Sequence, residues 1–324
     1  MDALSDVQYF WILPSAVLSL LSFAFRALRW KLILSPSLEI SFSEAFHPMM
    51  AGFMINCLLP ARAGEMVRPV ILYKRHHLAF STGLSTIVVE RMFDMVCMVL
   101  FLAVILCFFS IPPDAAVRFQ EYKLDKDLLN TIGSGMVKLS GIIILGIVLL
   151  SNDSCKRRID RLLLRLPGLF FFAGPGFRLR LAQWISLHVM PFINNISSGF
   201  QFIKRLENIF FCLFLSILVW GIQASAWYVL LFGFAGIQLG YLQISAVMIL
   251  VCFFIALPSV PGYWGLWEIA GIFAMQLLGI PEILSAGYTL VNHAVQIFTI
   301  VLIGLISVFF CSFDIRSLNG FQRK

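Results

Sequence analysis

The sequence predicts an all-α polytopic membrane protein, and three observations support that prediction. Of its 324 residues, 60% are hydrophobic and 13% are charged, whereas about a quarter of the residues of a soluble domain are charged. Several apolar stretches are long enough to cross a hydrocarbon core about 30 Å thick as helices. The Lys and Arg residues behind the net charge of +7 cluster between those stretches, which indicates orientation in a membrane rather than nucleic-acid binding.

Five segments are predicted to cross the membrane completely: residues 8–34, 82–111, 129–151, 207–235 and 283–312. The first of them lacks the basic start and the small-residue cleavage site of a signal peptide, so it is expected to stay as an uncleaved span. None of the seven cysteines has CxxC spacing, and we therefore expect neither a disulfide framework nor a metal site.

Two further segments, 44–72 and 244–279, are apolar but interrupted by proline and glycine. The pieces on either side of each interruption are too short to cross the membrane twice, which favours re-entrant helical hairpins. A hydropathy count would therefore find seven or eight hydrophobic segments. The basic stretch from Lys74 to His77 is expected to be a loop after the first hairpin.

The positive-inside rule orients this arrangement with the N-terminus outside and the C-terminus inside. Every basic cluster then lies on the inner side, including residues 152–205, whose basic and aromatic residues suggest amphipathic helices at a cytoplasmic surface. The first hairpin enters from the inside and the second from the outside.

The pattern LPxxxG followed by a glutamate occurs twice, at Leu59–Gly64 with Glu65 and at Leu257–Gly262 with Glu268. Together with the charge asymmetry this predicts an inverted repeat, as in many secondary transporters. We expect one transmembrane domain over residues 1–324, divided as follows: 1–111 first repeat, 112–151 linking span, 152–205 cytoplasmic basic region, 206–324 second repeat.

Charged residues beside or within apolar segments are candidates for function because insertion of each costs about 2.5 to 3.5 kcal/mol at the bilayer centre. Arg62, Arg68 and Arg91 offer guanidinium groups that hold phosphate oxygens in pairs, and helix N-termini at the hairpin breaks favour an anion as well. A phospholipid head group is the expected ligand class.

The acidic residues of these segments leave alternatives open. Glu65, Glu90, Asp94 and Glu268 could neutralise the arginines, bind an amine of the head group or carry a coupling proton. Glu90, Arg91 and Asp94 lie at helical spacing, so a salt-bridge network that only fastens the hairpin is the structural alternative.

Several aromatic and polar residues of the second half are also ambiguous. His293 is a candidate proton relay or a packing residue. Tyr263, Trp264 and Trp267 are expected to be interfacial anchors, or contacts of the head group.

Enzyme signatures such as HExxH, GxSxG, the P-loop and GxGxxG are not present in the sequence. We therefore expect no enzyme activity, no cofactor and no ATP site, so that energy would come from an ion gradient or the process would be passive. An intramembrane enzyme that uses Ser259 and His293 is kept as an alternative.

Three motifs resemble the flippase-like transmembrane family typified by the membrane half of lysylphosphatidylglycerol synthase, the multiple peptide resistance factor. They are NxxLPARAGExxR at Asn56–Arg68, VVERMFD at Val88–Asp94 and PGYWGLWE at Pro261–Glu268, and the RALRW of Arg26–Trp30 also fits. The resemblance covers nearly the whole chain.

The resemblance implies a bacterial or archaeal cytoplasmic-membrane protein that binds or moves lipids through re-entrant hairpins. The motif positions carried over are Asn56, Arg62, Glu65, Arg68, Glu90, Arg91, Asp94 and Glu268. The chain departs from the family in two ways: it lacks the soluble synthase domain, so lysyl transfer is not expected, and Tyr263 and Trp264 stand in a turn that is usually glycine-rich.

Two functions from different classes follow. The first is translocation of an anionic or aminoacylated phospholipid, or another lipid-linked head group, between leaflets. The second is a non-transporting membrane subunit that docks a protein partner through residues 152–205. Membrane lipids are the expected partners in either case, and nucleic acid is not.

Overall fold

Long helices dominate the computed structural model, which describes residues 7–60, 62–108, 117–119, 122–124, 153–170, 174–255 and 260–312, together with single helical positions at 138, 141, 145 and 149. Three of the described helical segments are long and apolar enough to cross a membrane, namely Tyr9–Leu34, Leu206–Leu231 and Glu282–Cys311. The prediction of an all-α polytopic membrane protein is confirmed.

Eleven described α-helices and one short β-hairpin follow one another along the chain. They are α1 (Ile12–Leu34), α2 (Phe42–Leu58), α3 (Gly64–His76), α4 (Phe80–Phe108), β1 (Val117–Phe119), β2 (Tyr122–Leu124), α5 (Asp153–Leu169), α6 (Pro175–Trp184), α7 (Met190–Gly199), α8 (Leu206–Leu231), α9 (Tyr241–Ile255), α10 (Leu266–Leu277) and α11 (Glu282–Ser312). β1 and β2 pair antiparallel. The predicted span at 129–151 lies largely outside the described residues.

Each interrupted segment forms two short helices that pack against each other, α2 with α3 and α9 with α10. These two helical hairpins have the form that the proline and glycine breaks predict. Residues Leu257, Pro258 and Ser259 of the second LPxxxG pattern lie outside the described residues, so the inverted repeat and its boundaries stay a prediction.

The stretch from Lys74 to His77 is not the loop that its charge suggests. α3 continues through His76 and ends at His77, which takes a left-handed conformation with φ 55°. Basic residues are favourable in the last turn of a helix because they face its partial negative charge. The Arg75 guanidinium also donates to the Phe310 and Cys311 carbonyls near the end of α11, which ties the first hairpin to the last span.

Two antiparallel pairs of helices form the frame. On α1 and α8, Ser15 donates to the Ala226 carbonyl and Ser22 to the Val219 carbonyl. On α2 and α11, His47 contacts Ser307, while a Cβ built at Gly304 would lie 2.4 Å from the Met54 Cβ. Serine and glycine at these places let neighbouring helices approach closely, as is common in membranes.

The described residues of the basic region 152–205 are mostly helical, but they do not form a uniform surface. α5 carries exposed arginines at 157, 158, 161 and 165. Residues 190–204 instead pack inward, since Phe200 and Phe202 are buried with Phe93 of α4. The prediction of a basic surface therefore fits α5 better than the stretch that leads into α8.

Large apolar side chains cover the outer faces of the long helices. Phe10, Leu13, Val17, Phe210, Phe214, Phe298 and Leu302 are all more than half exposed. Apolar faces of this extent are not usual for a soluble monomer, and they suit contact with lipid.

Candidate functional site

The interruptions of the two hairpins meet inside the molecule. The Arg62 guanidinium, in the break between α2 and α3, donates to the Ile255 carbonyl at the end of α9 over 2.9 Å. On the other side, a Cβ built at Gly262 would lie 3.2 Å from the Cys57 carbonyl oxygen. Backbone without helical hydrogen bonds is tolerated within a membrane only where protein or a cavity surrounds it, and each break supplies part of that surrounding for the other.

A close backbone approach fixes the first break. The Gly64 amide donates to the Asn56 side-chain oxygen over 2.7 Å, so Asn56 occupies one of the free N–H groups at the start of α3. A Cβ at Gly64 would lie 1.9 Å from the Gly52 carbonyl oxygen, which explains the glycine. Asn56 is 7% exposed and acts here as a structural clamp of the hairpin.

The centre of the site is a buried ion-pair network between α1 and α4. Arg29 lies 2.8 Å from an Asp94 carboxylate oxygen and 3.5 Å from Glu90, and it also donates to the Ser216 hydroxyl of α8. Arg26 lies 3.5 Å from Asp94. Arg29 and Glu90 are fully buried, so these charges depend on each other rather than on water.

The first hairpin joins the network through Arg68. Its guanidinium donates to Glu90 over 2.6 Å and lies 4.0 Å above the Trp30 ring. Arg26 lies in the same way over Trp220, at 4.9 Å. Both contacts are cation–π geometries. The two indole rings therefore help to stabilise guanidinium groups that outnumber the carboxylates among the described residues.

The outer edge of the network is looser and partly accessible. Glu65 lies 3.9 Å from both Arg62 and Arg91, while Arg91 also reaches Glu90 at 3.3 Å and Asp94 at 3.4 Å. The side chains of Arg62 and Arg91 are 33% and 26% exposed. These two guanidinium groups are therefore the ones that a ligand entering between the hairpins would meet.

The second hairpin carries a different arrangement at the corresponding place. Glu268, in the first turn of α10, accepts the Gly265 N–H over 2.7 Å and contacts Nδ1 of His293 on α11. Nε2 of His293 lies 2.9 Å from the Gly262 carbonyl. A carbonyl only accepts, so Nε2 carries a hydrogen, and the contact of Nδ1 with a carboxylate oxygen needs a second proton. Glu268 and His293 share that proton.

Aromatic rings enclose this proton-sharing pair. The His293 ring stacks on Trp267 with centroids 4.6 Å apart and lies 4.5 Å from Trp264. Trp267 also stacks on Trp227 of α8. The partly buried Trp267 ring thus packs between His293 and α8, while Trp264 is half exposed. The roles of both as interfacial anchors or head-group contacts stay predictions.

Two buried amides, Asn292 and Gln296, stand on either side of His293 on α11, and the three residues have the spacing of the charged triplet on α4. Gln296 donates to Ser19 of α1 and accepts from Gln223 of α8. Asn292 is fully buried, and its amide atoms have no hydrogen-bond partner among the described residues. Amides in the second half thus stand where carboxylates stand in the first.

The charges of the network do not balance. Five arginines, at positions 26, 29, 62, 68 and 91, face three carboxylates, at positions 65, 90 and 94. Buried N–H groups are also unfilled, since Nε of all five arginines and Nη1 of Arg68 have no hydrogen-bond partner in the described part of the chain. The arrangement of described residues therefore has spare positive charge and spare donors, which are the features that an anionic ligand would satisfy.

Sequence reasoning found the hairpin and α4 residues of this site but missed two arginines. Arg26 and Arg29 looked like orientation charges at the end of the first span, whereas they form half of the ion pairs of Asp94 and Glu90. Their spacing of three within an apolar helix was the available signal. The sequence also left Glu268 without a partner, and the structure gives it His293. Ligand binding by all these residues stays a prediction.

These features define a class first: an integral multi-pass membrane protein in which two helical hairpins meet around buried charges. The family described as "Lysylphosphatidylglycerol synthase TM region" matches residues 1–304, and the chain belongs to that family. The resemblance drawn from the three motifs is confirmed.

Two relatives illustrate the range of the similarity. The chain is 25% identical over 254 residues to the UPF0104 membrane protein MJ1078 of Methanocaldococcus jannaschii, covering 78% of this chain and 92% of that protein. It is 28% identical over 98 residues to the glycosyltransferase AglD of Haloferax volcanii, covering 29% of this chain and 15% of that protein. No solved structure matches the chain.

Proposed function

We propose that this protein binds an anionic lipid head group where its two hairpins meet and carries it between the leaflets of the membrane. The observation that carries the proposal is the surplus of arginines over carboxylates at that junction. A phosphate held by Arg62 and Arg91 would fill their unused donors, and bidentate pairing with phosphate is the geometry that guanidinium favours.

The position of the surplus supports transport rather than binding at one surface. Arg91 lies near the middle of α4, which runs from Phe80 to Phe108, and both hairpin breaks reach that depth. A head group crossing a bilayer meets its largest cost in the hydrocarbon centre, where charged groups are poorly tolerated. Charges placed at this depth would offset that cost.

The second hairpin suggests how movement would be coupled. The proton shared by Glu268 and His293 makes this pair the candidate for coupling to a proton gradient. We place the protein in the cytoplasmic membrane with its N-terminus outside, because every basic cluster then lies on the inner side.

Translocation of a fluorescent anionic phospholipid in proteoliposomes tests the proposal. We expect Arg62→Ala and Arg91→Ala to slow lipid movement at least tenfold while the protein stays folded. Each removes a partly exposed guanidinium, and when Arg91 is absent Arg68 still pairs with Glu90 and Arg29 with Asp94. Arg157→Ala on α5 is the matched control, since its side chain is exposed and bonds only locally to Ser154. Wild-type rates in folded Arg62→Ala and Arg91→Ala proteins would contradict transport.

A second candidate is a membrane subunit that serves an enzyme of glycolipid synthesis without moving lipid. The local similarity to AglD favours it, and the exposed arginines of α5 offer a docking surface. Here the sensitive sites would be Arg157, Arg158 and Arg161. Cross-linking of the wild type to a co-expressed glycosyltransferase, lost in Arg157→Glu and kept in Arg62→Ala, would favour this candidate over transport.

A further inference from the structure

We infer that the head group bound at the hairpin junction carries two negative charges, as a phosphate monoester or a diphosphate does, rather than the single charge of a phosphodiester. The inference rests on the proposed function, since it names the chemical class of the lipid that the same site would take. It follows from the charges of the described residues and from the geometry of the donors that remain unused.

The surplus is divided between two layers of the site. The buried layer contains Arg26, Arg29 and Arg68 against Glu90 and Asp94, which leaves one positive charge. The accessible layer contains Arg62 and Arg91 against Glu65, which leaves another. The network of described residues therefore carries a net charge of +2.

The second hairpin does not cancel this charge. While Glu268 and His293 hold their shared proton, the pair is neutral overall whichever of the two residues carries it. The helix ends at the two breaks also balance, because α2 and α9 end there with partial negative charge while α3 and α10 begin there with partial positive charge. The Tyr263 phenol and the Cys252 thiol are further titratable neighbours from this side, and neither carries a charge while protonated.

The other charges on the described membrane helices and hairpins lie at the ends of those helices. Within the described parts of α1 to α4 and α8 to α11, the remaining charged side chains stand in the first or last turn of a helix: Lys31, Glu44, Lys74, Arg75, Glu207 and Glu282. The middle of these segments thus holds the five arginines, the three carboxylates and the neutral pair. A dianion is the ligand that brings this region to zero.

The geometry of the accessible layer suits the same ligand. Glu65 lies at 3.9 Å from Arg62 and from Arg91, too far for a good hydrogen bond to either. The Nε atoms of both arginines are buried and have no hydrogen-bond partner among the described residues, so a ligand would reach the terminal Nη groups first. A phosphate monoester presents three terminal oxygens and reaches both guanidinium forks together, whereas a phosphodiester presents two terminal oxygens and one charge.

Lipid retention by the full-length protein tests the inference. The protein is placed in nanodiscs of phosphatidylcholine that contain equal amounts of dioleoyl phosphatidic acid, a monoester, and dioleoyl phosphatidylglycerol, a diester with the same chains. Native mass spectrometry then gives the ratio of the two bound lipids at pH 8 and pH 5. The second proton of a phosphate monoester leaves near pH 6, so we expect at least a tenfold preference for the monoester at pH 8 that shrinks toward one at pH 5.

Variants that change the charge of the network test whether its surplus positive charge causes the preference for the monoester. Arg62→Gln lowers the net charge of the network to one and should abolish most of the preference while the diester stays bound. Glu65→Gln raises it to three and should keep or increase the preference. Arg157→Gln is the control and should match the wild type. An equal ratio at both pH values, or a preference that Arg62→Gln does not change, overturns the inference.

Two outcomes separate this inference from the proposed function. If the wild type retains both lipids equally and Arg62→Ala releases both, the site binds anionic head groups, but the inference that it prefers a doubly charged head group is wrong. If neither lipid is enriched over phosphatidylcholine, the proposed function fails as well. Excess inorganic phosphate is added in a third arm, and we expect the lipid to stay bound; complete displacement would mean that the ligand is free phosphate rather than a lipid.

Discussion

The two hairpins present the same framework with different chemistry. In each, a glutamate in the first turn after the break faces a residue of a long helix: Glu65 faces Arg91, and Glu268 faces His293. Arg91 stands one position after Glu90 on α4, and His293 stands one position after Asn292 on α11. The first half pairs its glutamate with a permanent charge and the second with a proton that can leave.

The surroundings explain how one framework supports both. α1 brings Arg26 and Arg29 to the first junction, so carboxylates at 90 and 94 are neutralised there. At the second junction α8 brings Trp227 and Gln223 instead, and the α11 positions that correspond to 90 and 94 are amides. Under the proposed function, the fixed charge that would bind a ligand and the shared proton that would serve coupling are therefore separated into different halves.

The largest loss of stability is expected when the buried charge of the first half is removed at Glu90, compared with removal of the corresponding amide Asn292 in the second half. Glu90→Ala leaves Arg68 and Arg29 buried beside an unfilled space, and removal of one partner of a buried ion pair costs about 3 to 5 kcal/mol. Its counterpart Asn292→Leu removes an amide without partners among the described residues, which is nearly neutral when the shape is kept. Thermal unfolding in detergent measures both.

A double variant that removes both members of the Arg68–Glu90 ion pair checks the prediction for Glu90. Glu90→Leu combined with Arg68→Met removes both members of their ion pair, and it should be more stable than Glu90→Leu alone. Equal unfolding temperatures for Glu90→Ala and Asn292→Leu would show that the buried charges of the first half are no more dependent on each other than the amides of the second.

A smaller effect is expected at two glycines that allow close packing. A Cβ at Gly64 would meet the Gly52 backbone carbonyl at 1.9 Å, while a Cβ at Gly271 would meet the Thr289 side chain at 2.4 Å. Overpacking costs about 1 to 3 kcal/mol, and we expect Gly64→Ala at or above the upper limit because backbone cannot rotate away. Gly271→Ala should cost less, as Thr289 can change rotamer.

The measurement for the glycines is again thermal unfolding, with Gly221→Ala on α8 as the control. A Cβ at Gly221 meets nothing within 4 Å, so this variant should unfold close to the wild type. A Gly64→Ala protein as stable as Gly221→Ala would contradict the close approach of α2 and α3.

Much of this architecture was predictable from the sequence because hydrophobic length and interrupting residues act locally. The span at residues 8–34 and the break after Leu59 follow from such local patterns and appear in the structure. Partners could not be predicted in the same way. Glu268 and His293 are 25 positions apart, and their contact depends on how the second hairpin packs against α11.

The two arginines of α1 illustrate the same limit. Near the end of a span, Arg26 and Arg29 look like charges that orient the protein, since the positive-inside rule counts residues at such places. Only the packing of α1 between α4 and α8 shows that Arg29 bonds to Asp94 and Ser216. A helix sequence gives the face of a residue but not the helix that covers it.

The smallest effect on stability is expected for Glu268→Gln. The same variant should have the largest effect on the coupling of lipid transport to protons. In Glu268→Gln the amide oxygen still accepts the Gly265 N–H and the amide NH₂ donates to Nδ1 of a neutral His293, so we expect a loss of about 1 kcal/mol or less. The variant copies the neutral form of the pair but has no proton to release. Lipid transport measured between about pH 5 and pH 8 should therefore become nearly independent of pH.

Glu65→Gln is the matched control, because it changes the corresponding glutamate at the junction that holds fixed charge. This variant should alter which lipid is bound while keeping the pH dependence of the wild type, since Arg91 does not titrate in this range. A wild-type pH profile in Glu268→Gln, or a flattened one in Glu65→Gln, would contradict the division of roles between the two hairpins. The pH profiles of lipid transport in the two variants together thus show whether the proton shared by His293 and the charge of Arg91 have separate roles.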